Sequence, residues 1–119
     1  MGLTYVDVVV RSSLKSSEAR TVRCLVDSGA TLTLLPRADL DALAITPGWQ
    51  ESFELAAGST ITREVASAHL SINGRQTISP IVFGEAGDEP LIGVVALESM
   101  GLALDPVRRQ LTPRAHRLG

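Results

Sequence analysis

The sequence predicts an all-β fold that carries one or two short helices. Three observations predict it. Residues 4–11 (TYVDVVVR) and 20–26 (RTVRCLV) are runs rich in β-branched side chains. Short strand-like segments recur along the chain between turn residues, and helical patterns are confined to two brief stretches.

The elements follow in chain order. Residues 4–11 and 20–26 read as paired strands, with the polar stretch 12–18 as their hairpin loop. A turn at Asp27-Ser28-Gly29-Ala30 leads to a short apolar strand over 31–35, and Pro36 ends it by opening a helix over 37–43. Pro47 and Gly48 break the chain. Strands at 52–55 and 60–72 then flank the small-residue tip Ala56-Ala57-Gly58-Ser59. Asn73-Gly74 is the strongest hairpin signal in the sequence and joins the strand ending at Ile72 to one over 77–83. A polar loop follows at 84–90. Leu91-Ile92-Gly93 then enters a short helix over 94–100, capped by Gly101, and 102–104 returns as a strand. No repeat, low-complexity tract or internal linker interrupts this pattern, so residues 1–119 read as one domain.

Composition narrows the function. With 45% hydrophobic but only 3% aromatic residues, the core must be aliphatic. A net charge of -2 argues against a nucleic-acid partner, which would demand a concentrated basic face. Arg108, Arg109, Arg114 and Arg117 form a small C-terminal group that reads as a solvated tail. Cys24 is the only cysteine, so no intrachain disulfide forms. It lies in an apolar run that buries it, which favours a reducing compartment. No apolar run is long enough to span a bilayer and no signal peptide is evident, so the expectation is a cytoplasmic protein without a membrane partner.

Asp27-Ser28-Gly29 taken alone is a weak signal, since these residues commonly just reverse the chain. Its setting is less ordinary. The apolar strand Cys24-Leu25-Val26 runs straight into the carboxylate, and a second apolar strand leaves after Ala30. A carboxylate at the mouth of a buried strand is costly unless it is paired or used.

Leu25-Val26-Asp27-Ser28-Gly29-Ala30 resembles the first motif of the retropepsin-like aspartic proteases: two apolar residues, Asp, Ser or Thr, Gly, Ala. Leu91-Ile92-Gly93, followed by Leu97 and Gly101, resembles the second. Ala57-Gly58-Ser59 lies between them, where that family carries its substrate-covering flap. The resemblance runs from about residue 5 to residue 111, and Leu102 to Pro106 (LALDP) looks like the ending of prokaryotic single-domain members. It implies a closed β-barrel or sandwich that works as a symmetric homodimer. Thr31 and Val94 depart from the viral pattern, which places an acid and an arginine there as an ion pair. Loss of both leaves no charge stranded.

The resemblance implies an aspartic endopeptidase acting on a peptide or protein substrate. That chemistry needs two carboxylates sharing one proton. Asp7, Asp39, Asp41, Asp88 and Asp105 lack the strand-Asp-Ser-Gly setting, so the second carboxylate is expected from Asp27 of another copy. Asp27, Ser28 and Gly29 are the implied catalytic residues. Leu25, Ala30, Ala57, Gly58, Ser59 and Leu91 are the implied substrate contacts. Blander readings stand beside these: Ser28 as a turn hydroxyl, Gly29 and Gly58 as turn glycines, Leu25 and Leu91 as core. A second reading of the whole chain is a dimerising or peptide-binding module of the same fold with little turnover. No cofactor or metal is expected: His69 and His116 have no partners at metal-ligand spacing and read as surface residues. Trp49 reads as a core anchor.

Overall fold

The computed structural model describes residues 3–114. Alternating side chains set the barrel. In β1 (Tyr5–Arg11) Val8 and Val10 are buried, and in β2 (Arg20–Val26) Val22, Cys24 and Val26 are buried. The chain continues through β3 (Thr33–Pro36), α1 (Arg37–Ala42), β4 (Trp49–Glu54), β5 (Thr60–Ile72) and β6 (Arg75–Gly84). It closes with β7 (Leu91–Ile92), α2 (Val94–Ser99), β8 (Leu102–Asp105) and β9 (Gln110–Pro113).

Strand order in the main sheet is β1-β2-β7-β3-β6-β5-β4, and a further antiparallel pairing of β1 with β5 closes it into a barrel. The expectation of an all-β closed barrel or sandwich with one or two short helices is therefore met, by a barrel with two. β2 with β7 and β3 with β6 are parallel, whereas the other neighbours run antiparallel. β5 is long enough to do two jobs. Its second half lies in the barrel against β6 and β1, while its first half pairs with β4 from Thr60 to Val65 as a projecting hairpin. β8 and β9 form a separate two-stranded sheet.

The interior is aliphatic, with Phe83 as its one large ring. Leu40 from α1, and Ala96 and Leu97 from α2, pack against the barrel residues. Asn73 (φ 48°) and Gly74 (φ 86°) both take positive φ between the paired residues Ile72 and Arg75, the geometry of a type I′ turn. α2 has no side-chain cap at its N-terminus. At its start the Val94 and Val95 amides donate to the Ala30 and Thr31 carbonyls, and at its end the Arg75 guanidinium donates to Met100 O at 2.9 Å.

Several elements differ from expectation. β4 starts at Trp49 and β6 at Arg75, because pairing with β5 extends each strand back to its turn. β3 starts at Thr33, since residues 30 and 31 are occupied in holding α2. β9 is not predicted from the sequence; pairing with β8 makes a strand of a segment that begins beside two arginines and ends in proline. His69 is buried at 4% exposure, covered between β1 and β6, with Nε2 hydrogen-bonded to Gln76 Oε1 at 2.8 Å. Trp49 is no core anchor: it is 44% exposed and its Nε1 donates to Glu51. Cys24 is buried as expected. The expectations for His116 and Arg117 fall outside the described residues.

Candidate active site

Asp27 stands at the end of β2, where the chain leaves the barrel wall. Its backbone amide donates to Ile92 O at 3.1 Å, and the Ala30 amide donates to Asp27 O at 3.2 Å, which makes residues 27–30 a tight turn. The Gly29 amide donates to Asp27 Oδ1 at 2.9 Å, so the half-buried carboxylate is oriented by its own loop. A side chain at position 29 would place its Cβ 3.3 Å from that oxygen and crowd it.

The loop is locked from behind. β7 lies between β2 and β3, with Leu91 opposite both Leu25 and Leu34. A Cβ at Gly93 would sit 2.6 Å from Leu32 O, so glycine alone lets the two segments pass this closely. The Gly93 amide donates at 3.1 Å to the hydroxyl of Thr33, which is fully buried. With the two α2 amides on Ala30 O and Thr31 O, these bonds tie the segment after Asp27 to the Leu91-Ile92-Gly93 segment. Sequence reasoning missed Thr33; a lone hydroxyl within the apolar run 32–35 was the signal available.

In front of the loop lies a cavity of about 710 Å³, lined by Gly29, Ala30, Leu34 and Leu91 on the barrel side and by Phe53 and Ile61 on the β4–β5 hairpin. Leu55, Arg63 and Asp88 also reach it. Of the implied substrate contacts, Ala30 and Leu91 line the cavity, as does Gly29 of the implied catalytic residues. Leu25 does not, being half-buried in the β2–β7 pairing. Ala57, Gly58 and Ser59 form the hairpin tip and are exposed. Gly58 N donates to Leu55 O, Leu55 N donates to Ser59 O and Gly58 has φ +90°, a type I turn closed by a glycine bulge. Ser28 is exposed and lines a second cavity of about 300 Å³, formed with Val94, Leu97 and residues of β8.

Cys24 lies inside the barrel one residue from the Leu25-Val26 approach to the site. Burial pushes its thiol up to about 12, with the nearby Asp7 and Asp39 charges adding to the effect, so it is an inert neutral thiol at ordinary pH. Among the described residues no group of three or more His, Cys, Asp or Glu side chains is arranged to hold a metal ion. No helix among them is long and apolar enough to cross a membrane.

A closed barrel with an Asp-Ser-Gly loop braced by a second apolar-Gly-helix segment defines the class to which this architecture belongs. Among solved structures it is similar to the EIAV protease complexed with the inhibitor HBY-793, with a TM-score of 0.64 over 87% of this chain and 93% of that one, at 15% identity. No curated protein matches the sequence. The model of the family described as "gag-polyprotein putative aspartyl protease" matches residues 16–99. The chain belongs to this family of retropepsin-like aspartic proteases.

Proposed function

We propose that the chain, acting as one unit over residues 1–119, is an aspartic endopeptidase whose active site forms between two copies, each supplying Asp27. The observation that carries this reading is the placement of Asp27: a half-buried carboxylate oriented by its own loop beside a groove, in the one Asp-Ser-Gly of the chain. One carboxylate cannot serve as base and acid at once. The exposed Ser28 and the apolar cavity behind it support a second copy on that side, which would bring the two aspartates together.

In this reading an extended peptide lies along the cavity, under the β4–β5 hairpin acting as a flap, with Gly58 at its tip. One Asp27 takes a proton from water as the water oxygen attacks the peptide carbonyl carbon. The other Asp27 gives its proton to the carbonyl oxygen. Collapse of the tetrahedral intermediate breaks the C–N bond, and the amine leaves with a proton from the dyad. Ser28 and Gly29 hold the carboxylates, while Ala30 and Leu91 contact substrate side chains. Only the singly protonated pair works, so the rate falls towards both acid and alkaline pH. The single, buried, unbridged Cys24 fits a reducing, cytoplasmic setting.

The test is incubation of the purified protein with a random peptide library from acid to neutral pH, with and without a statine-type inhibitor. Cleavage that the inhibitor blocks and Asp27→Asn abolishes is the expected result. Binding without cleavage by the wild type would instead identify a peptide-binding module of the same fold.

A further inference from the structure

The groove is lined mostly by apolar residues, but Glu54, Arg63 and Asp88 bring charge to it. Arg63 on β5 and Asp88 in the turn after β6 both line it. The Arg63 guanidinium lies 3.7 Å from Glu85 Oε1 and 3.6 Å from Asp88 Oδ2, beyond hydrogen-bond length in both cases. Its Nε is buried with no hydrogen-bond partner among the described residues. The Asp88 carboxylate is better fixed: its Oδ2 accepts from the Glu85 amide at 2.8 Å. Where these two residues meet, the groove thus presents a guanidinium held by charge alone beside a carboxylate pinned by its own turn.

We infer that Arg63 and Asp88 together determine substrate specificity where they line the groove, selecting a peptide side chain that carries a neutral amide, Gln or Asn. The inference rests on the reading of the groove as a peptide site. An amide offers an oxygen to the guanidinium and an N–H to the carboxylate, satisfying both without adding charge. A carboxylate side chain would meet Arg63 but face the negative charges of Glu85 and Asp88. An ammonium would meet Asp88 but face Arg63. An aliphatic side chain would bury the pair and leave its hydrogen-bonding groups unmet.

The test is binding of a position-scanning peptide set, with Gln, Asn, Glu, Lys and Leu at each site, to full-length Asp27→Asn protein, alongside cleavage of the same set by the wild type. The expected result is one position at which Gln or Asn is favoured over Glu, Lys and Leu by about tenfold. Arg63→Met removes the donors and leaves Glu85 and Asp88 unopposed, so at that position the preference moves to Lys. Arg63→Lys keeps the charge but loses the planar fork, so it weakens the amide preference without moving it to Lys. Thermal melts of both variants establish that each is folded. Binding or cleavage with no amide preference overturns this inference and leaves the protease reading standing. An Arg63→Met variant that lowers all peptides equally overturns it too, since that marks a contact to the peptide backbone. If no peptide is bound or cleaved, both readings fall together.

Discussion

Asp27 is oriented before any substrate arrives, because the Gly29 amide that holds Oδ1 belongs to the same turn. Three residues away, Cys24 shows what the barrel interior does to an ionisable group that is given no partner. Its thiol is raised from an ordinary value of 9.0 to about 12, chiefly by burial. The folded state therefore holds this proton more tightly than the unfolded chain. The resulting stabilisation is whole below about pH 9 and is lost as pH climbs from there towards 12. Denaturant unfolding of the wild type and Cys24→Ala at several alkaline pH values checks this: the wild type should lose stability relative to the variant across that window, and parallel curves would contradict it. At this scale the sequence showed what local context could show. Asp27 and the buried Cys24 were legible from local context, Asp27 at the end of the apolar Leu25-Val26 step before a turn and Cys24 within the β-branched run 20–26. His69, Arg63 and Asp88 were not, because what surrounds each of them is decided by strands and turns distant in the sequence.

At the scale of elements, the site depends on β7 passing between β2 and β3. The Thr33 hydroxyl, fully buried, accepts the Gly93 amide there. Thr33→Val keeps the shape but strands that amide, so it should cost about 1–3 kcal/mol in urea unfolding, and a cost near zero would show that the bond is incidental. The β4–β5 hairpin makes the opposite case. Gly58 has φ +90° with open space around it, so Gly58→Val meets no clash and costs only backbone strain, about 1–2 kcal/mol. Cleavage should fall by more than that loss explains, because a stiff tip resists closing; an equal loss of stability and activity would make Gly58 purely structural. The hairpins were readable in the sequence because their turns are chemical signals, Asn73-Gly74 above all. Barrel closure through β1 and β5, the parallel β2–β7 pair and the strand β9 were not. Each joins segments far apart or hides behind charged and proline residues, and no local pattern encodes such a pairing.

Across the whole molecule, one chain offers one Asp-Ser-Gly aspartate, a groove beside it, and behind Ser28 a mostly apolar cavity lined by β8. The central claim is that two Asp27 side chains from two chains make one site. Mixing wild type with Asp27→Asn at constant total concentration, allowing subunits to exchange, and measuring initial cleavage rates tests it directly. If a dimer carrying one aspartate is inactive, activity follows the square of the wild-type fraction, falling to about one quarter in an equal mixture. Activity that falls only in proportion to the wild-type fraction, to about one half in that mixture, would mean that each chain works alone and would contradict the account.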